Sequence, residues 1–242
     1  MADHPLARFD PRVKLLCTGT LLVMVIGGRG YLFPLLVAAG CLVSCRSLGV
    51  PGRLLALRFA EPLFIAAMVV LLKLLFAGKV PLFAFSALGI TVVGHLDGLL
   101  EGARIAARIA GAVSLVALLG FSTSFTDLMG ALSWLKVPRA LIEVALFAWR
   151  YLFVLLEDAQ VVYHAQKNRL GYAGYRRGLS SFGTLAGALV IKAFDNSQAV
   201  TTAMVQRGYD GEMPLLKHRP FRAGEVLSAV LVVVILGFLR SL

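Results

Sequence analysis

The sequence predicts an all-α integral membrane protein of about five transmembrane helices (alternatives four to six), with long amphipathic helices on the cytoplasmic side. Three observations predict it. The 242-residue chain is 59% hydrophobic, with a mean hydropathy of +0.83, above the roughly 45–50% apolar content of a soluble domain. Only 15% of its residues are charged, too few to cover a soluble surface. The charge is also lopsided: 24 Lys and Arg against 13 Asp and Glu leave +11, as basic cytoplasmic loops would. The same apolar content excludes a disordered chain. A nucleic-acid reading of the charge fails for want of a soluble binding module.

Val13 to Cys45 is nearly all apolar, broken only by Gly27-Gly28-Arg29-Gly30. One span needs about 20 residues, so the stretch predicts a hairpin of two short spans, at about 12–27 and 31–45. The glycines allow a tight turn with Arg29 at its wet apex. Arg8, Arg12 and Lys14 at one end and Arg46, Arg53 and Arg58 at the other put both ends of the hairpin in the cytoplasm. Leu54–Ala60 reads as an interfacial lead-in. A third span runs from about Pro62 to Phe76, with proline in its first turn and Lys73 snorkelling outward. Lys79–His95 lacks a helical stripe and carries Pro81 and Gly89, which predicts an external loop with some extended structure.

The fourth span covers about Leu99–Leu119. Glu101, Arg104 and Arg108 fall at i, i+3 and i+7 and so share a face. Charge at that depth is costly, so the face must turn toward protein or water. It reads either as a salt-bridge ladder against other helices or as contact with a polar partner segment. Next, Ser124-Phe125-Thr126-Asp127 fits a capping box, opening an amphipathic piece at Phe125–Leu135 that Val137-Pro138 closes. A long helix follows from Arg139 to about Arg169, with Glu143, Arg150, Glu157 and His164 repeating every seven residues. Glu143 and Glu157 would stand about 21 Å apart along it, too far to act as an acid/base pair.

From Glu157 to Arg222 the chain is at its most polar, with Lys167, Arg169, Arg176, Arg177, Lys192, Arg207, Lys217, Arg219 and Arg222. The positive-inside rule makes this segment cytoplasmic. Amphipathic stripes persist there, Phe182, Leu185, Leu189 and Phe194 in one and Val200, Ala203 and Met204 in another. Such helices bind lipid headgroups or a protein. The last span is about Gly224–Leu242. The domains are therefore residues 1–121, a membrane domain of four spans; 122–222, a cytoplasmic and interfacial domain of amphipathic helices; and 223–242, the last span. The N-terminus lies inside and the C-terminus outside. Pro5, Asp10 and Pro11, with no A-x-A site, make the first apolar run a retained span rather than a signal peptide.

Chemical motifs are scarce. Cys17, Cys41 and Cys45 lie in apolar stretches and read as packing thiols. The four histidines form no local metal motif, and His4 with Asp3 would need ligands from elsewhere. No metal site is assigned. Gly78-Lys79 is followed by Val80 where a P-loop needs a hydroxyl, and there is no GxSxG. No cofactor is expected on this chain, and any ATP and magnesium would be bound by another.

Two phrases in the basic segment are alike: Ala165-Gln166-Lys167-Asn168-Arg169-Leu170-Gly171-Tyr172 and Ala203-Met204-Val205-Gln206-Arg207-Gly208-Tyr209. Each ends a helical stretch in arginine, then glycine and tyrosine. The glycines suit helix C-caps and the arginines suit the helix dipole.

With these phrases the chain resembles the transmembrane (T) component of energy-coupling factor (ECF) importers, in the cobalt-transport subgroup called CbiQ. The resemblance covers nearly the whole chain. It rests also on the start from His4 to Leu16, on Phe125–Leu132 with Val137-Pro138, on Trp149-Arg150-Tyr151 and on Ala193-Phe194-Asp195. It implies a non-catalytic scaffold whose two arginine signatures end coupling helices that dock into grooves of two ATP-binding-cassette ATPase subunits. Arg207, flanked by Gln206 and Gly208, matches the second signature; Arg169, flanked by Asn168 and Leu170, matches the first. Both lack alanine before the arginine of the usual Ala-Arg-Gly, and the first also lacks glycine after it.

The resemblance further implies a separate substrate-binding membrane (S) component, contact with membrane lipid, and placement in the bacterial inner membrane. The cargo it implies is cobalt, with nickel or a vitamin as alternatives. A reading of another class is an intramembrane enzyme on an anionic lipid, using Glu101, Arg104 and Arg108 with His95 or Asp97, but no nucleophile–base pair accompanies them. A stand-alone channel or secondary transporter would show an inverted repeat, and none is visible.

Overall fold

The computed structural model describes residues 9–28, 30–76, 81–87, 90–210 and 223–241. His4 and Arg8, the turn apex Arg29, Gly78-Lys79-Val80, Gly89 and the basic run Lys217–Arg222 lie outside the described residues. The described elements in order are α1 (Pro11–Gly27), α2 (Leu32–Ser47), α3 (Gly52–Phe76), β1 (Pro81–Ala87), β2 (Ile90–His95), α4 (Leu96–Ser122), α5 (Phe125–Trp134), α6 (Arg139–Asn168), α7 (Tyr175–Gln206) and α8 (Ala223–Ser241). They pack as two units, residues 9–131 with 223–241 and residues 132–210.

In the first unit α4 is the central helix, packed on α1, α2 and α3. Small residues make this possible. Gly98, Gly102, Ala107, Gly111, Ser114 and Ala117 are its buried positions along with Leu115. A Cβ on Gly111 would stand 2.9 Å from the Pro34 carbonyl oxygen, and one on Gly102 3.0 Å from Val70 Cα. Small residues let apolar helices approach closely where no hydrophobic force draws them together. The core is Leu21, Val25, Phe33, Val37, Cys41 and Leu115, with a second cluster of Cys45, Leu48, Val50 and Leu55. The cysteines are free and Cys41 and Cys45 are buried among apolar neighbours.

The predicted elements of this unit are recognisable, with two corrections. The lead-in Leu54–Ala60 and the third span are one continuous helix, α3, and Pro62 sits inside it rather than in its first turn. Pro62 lacks the N–H that would bond the Arg58 carbonyl. Lys73 does not simply reach outward: it pairs with Glu101 on α4 at 3.1 Å. The segment expected to hold extended structure forms an antiparallel β1–β2 hairpin, with Phe85 opposite Val92 and a register irregularity between Pro81 and Phe83. Strand β2 packs against α3.

Helix ends settle which termini lie together. The Asp10 carboxylate accepts from the Arg12 N–H and caps α1, with proline in the first turn. Lys14 Nζ donates to the Ser122 carbonyl at the end of α4, 2.8 Å away. The Asp10 N–H donates to Glu225 Oε2 near the start of α8, also at 2.8 Å. The end of α4 and the start of α8 thus lie on one and the same face of this unit, beside the N-terminus of α1. Half of the expected capping box after α4 is formed: the Asp127 N–H donates to Ser124 Oγ at 3.2 Å, while Ser124 Oγ itself donates to Asp127 Oδ2 at 2.7 Å.

In the second unit α6 and α7, of 30 and 32 residues, form an antiparallel helical hairpin. The two stripes expected around Phe182 and Met204 lie on this single helix α7. Lys192 pairs with Asp158, Gln166 Nε2 donates to the Ser181 carbonyl at 3.0 Å, and Tyr209 OH donates to Glu143 Oε2 at 3.3 Å.

Candidate functional site

Arg169 and Arg207 occupy the same backbone position. Each is the C-cap residue of its helix, just past the last helical turn. After Arg207, the Gly208 N–H donates to the Val205 carbonyl and the Tyr209 N–H to the Met204 carbonyl. After Arg169, the Leu170 N–H donates to the Lys167 carbonyl and the Gly171 N–H to the Gln166 carbonyl. Both pairs of bonds are the Schellman pattern. Helices α2 and α5 end the same way, through Gly49 and Lys136, but with Leu48 and Leu135 at the cap. The cap itself is therefore general in this chain, and an arginine on it marks α6 and α7.

The residue after each arginine must turn left-handed, and φ is +82° at Gly208 and +59° at Leu170. This corrects the expectation that Gly171 supplies the first cap. Leu170 takes that conformation at a cost of roughly 1 kcal/mol. Gly171 is needed for another reason: a Cβ there would stand 2.7 Å from Ser181 Oγ and 2.8 Å from the Gln166 carbonyl. The missing glycine after Arg169 thus leaves the backbone geometry of the signature intact.

Both arginines are exposed, as are Asn168, Leu170, Gln206 and Gly208 beside them. Leu170 is 67% exposed, while Met204 and Tyr209 are half-buried. The arginine positions lie toward opposite ends of α7, whose 32 residues span about 48 Å. Each presents five guanidinium donors that can pair bidentately with a carboxylate.

Sequence reasoning missed the supports behind them. Tyr172 OH donates to Gln166 Oε1 at 2.8 Å, and Ser181 Oγ donates to the Gly171 carbonyl at 2.8 Å. These bonds close the α6–α7 corner beside Arg169. Tyr209 reaches across the hairpin to Glu143, which is 8% exposed. The seven-residue polar stripe therefore divides: Glu143 is buried and bonded to Tyr209 just past α7, whereas Arg150, Glu157 and His164 are exposed. The tyrosine that ends each arginine phrase was the available signal. A cleft of about 420 Å³ lies between the helices near Tyr209, lined by Phe147, Tyr151 and Leu155 on α6 and Asn196, Thr201 and Met204 on α7.

The Glu101, Arg104 and Arg108 face of α4 meets other helices at two of its three positions. Glu101 pairs with Lys73, Arg108 Nη2 donates to the Gly28 carbonyl at the end of α1, and Arg104 is exposed. His95 and Asp97 cap and open the same helix. Among the described residues no three His, Cys, Asp or Glu side chains are gathered as a metal site.

The chain is similar to several known proteins. An uncharacterised protein of Methanocaldococcus jannaschii is 26% identical over 89% of this chain and 81% of its own length. The cobalt transport protein CbiQ of Rhodobacter capsulatus is 31% identical over 73% of this chain and 82% of its own. The energy-coupling factor transporter transmembrane protein EcfT of Staphylococcus aureus is 25% identical over 88% and 82%. The family model described as cobalt transport protein, CbiQ, matches residues 2–218. With that match over most of its length, the chain belongs to the CbiQ family of cobalt transport proteins.

Proposed function

We propose that this protein is the non-catalytic transmembrane scaffold of an ECF-type cobalt importer, passing the motion of two ATPase subunits to a substrate-binding membrane subunit. The observation that carries the proposal is the pair of exposed arginines on matching caps toward opposite ends of α7. Two equivalent donor groups tens of ångströms apart suit two copies of one partner, each offering a carboxylate-bearing groove. A long helix between them transmits displacement because its internal hydrogen bonds resist bending. The motor shifts this lever only through contacts that differ between its nucleotide states. Nickel in place of cobalt would call for the same scaffold.

Five spans are supported by the packing of the first unit. Helices α3 and α4 are 25 and 27 residues long and apolar enough to cross a membrane, and two shorter apolar helices lie at Leu32–Ser47 and Gly224–Phe238. These four with α1 give an inside N-terminus and an outside C-terminus. Arg12, Lys14, Arg46, Arg53 and Arg58 then gather at the cytoplasmic end, where the chain leaves and returns around residues 123–222.

The test replaces Arg169 and Arg207 by Ala or Glu and measures co-purification of the ATPases and cobalt(II) uptake in reconstituted vesicles. Truncating a central interface arginine costs about 2 kcal/mol, so each single Ala variant weakens ATPase capture about 30-fold. Normal capture and uptake in the double variant would sink the proposal.

A further inference from the structure

The two ends of the α6–α7 hairpin are built differently. Beside Arg169 the corner is closed: Gly171 leaves no room for a Cβ against Ser181 and Gln166, and Tyr172, Gln166 and Ser181 are joined by hydrogen bonds. Beside Arg207 the helices stand around the 420 Å³ cleft, which Tyr209 and Met204 help to line. There the bond from Tyr209 OH to Glu143 Oε2 ties the residue two places after Arg207 to the first turns of α6. Gly208 is what aims it: its left-handed turn sends the chain, and Tyr209 with it, back over the end of α7. Glu143 is 8% exposed although its heptad relatives face solvent, which places its carboxylate at the contact between the two helices.

From this asymmetry we infer that Tyr209 and Glu143 are positioning residues for energy coupling, latching the Arg207 docking point to α6 while the Arg169 point is fixed by its own corner. Displacement of the ATPase held at Arg207 is then delivered to α6 through the latch rather than absorbed by opening the cleft. The inference rests on the docking role proposed above and adds the element that receives the force.

The experiment uses the full complex of this chain with its two ATPases and substrate-binding subunit in vesicles, with cobalt(II) as the transported probe. Variants are Y209F, E143L, which keeps the side-chain bulk but offers no acceptor, their double, and R207A as reference. Both single variants, one lacking the donor and the other the acceptor, keep the ATPases bound in wild-type ratio and keep ATP hydrolysis, but transport about three- to tenfold less cobalt per ATP hydrolysed, the effect of one hydrogen bond. The double variant falls no further than the worse single one, because the two share one bond. Unchanged cobalt per ATP in both single variants, alongside lost ATPase capture in R207A, overturns the latch and leaves docking standing. Normal capture in R207A overturns the docking reading and the latch with it. Additive losses in the double variant also overturn the latch, since they show two independent roles.

Discussion

At the scale of single residues, the glycines separate by what their missing side chain permits. Gly208 holds φ at +82° with open space around its Cβ position, whereas Gly171 is crowded by a backbone carbonyl at 2.8 Å. Gly208→Ala is therefore expected to cost about 1 kcal/mol through strain alone. Gly171→Ala is expected to cost about 1–3 kcal/mol, because the Gln166 carbonyl cannot yield without disturbing the cap. Gly187, inside α7 with nothing within 4 Å of a Cβ, serves as the opposite case: alanine there is expected to stabilise by up to about 1 kcal/mol. Thermal unfolding of the purified chain in detergent checks all three, and a Gly171→Ala variant as stable as the wild type would contradict the crowded corner. Leu170→Gly at its exposed, left-handed position is expected to leave ATPase capture unchanged, since it restores the residue that the Ala-Arg-Gly signature carries.

Helices that meet through small residues fail when those residues grow. Gly111→Ala sets a Cβ against the Pro34 carbonyl at 2.9 Å, and Gly102→Ala sets one against Val70 at 3.0 Å. Each is expected to destabilise by about 1–3 kcal/mol, while Gly40→Ala, with nothing within 4 Å, is not. A melting curve comparing the three separates helix packing from general helix propensity. Most elements were legible in the sequence because apolar runs, capping boxes and prolines leave local marks. The box at Ser124-Asp127 and the starts and ends of α1, α2, α6 and α8 fall within a few residues of expectation. Pro62 misled because a helix between apolar neighbours can keep proline in its interior, so the residue marked a lost hydrogen bond instead of a beginning. The positions of Arg169 and Arg207 were readable, but Glu143 with Tyr209 was not. Those two lie 66 positions apart, and only the fold of the hairpin brings them together.

For the molecule as a whole, the sidedness of the chain is the main expectation. Lys14 at Ser122 and Asp10 at Glu225 gather three helix ends on one face. Single cysteines introduced at Ser122 or Gly224 in a background without Cys17, Cys41 and Cys45 are expected to react from the cytoplasmic side with a membrane-impermeant maleimide. A cysteine at Gly94, at the far end of α4, is expected to react from outside. Labelling of Gly94→Cys and Ser122→Cys from the same side would refute the five-span arrangement. The excess of arginine and lysine belongs with this expectation: under the proposed arrangement it biases which face stays in the cytoplasm.

The 32 residues of α7 also fix an angle. Each residue in a helix advances its neighbours by about 100° around the axis, so the direction in which Arg207 points is set by counting residues back to the corner at Gly171. Removing four residues near Gly187 would shorten the rod by about 6 Å and turn its end by only about 40°. Removing two would shorten it by only about 3 Å yet swing Arg207 to nearly the opposite side. If docking reads the phase of this helix more than its length, the smaller deletion is the more damaging one.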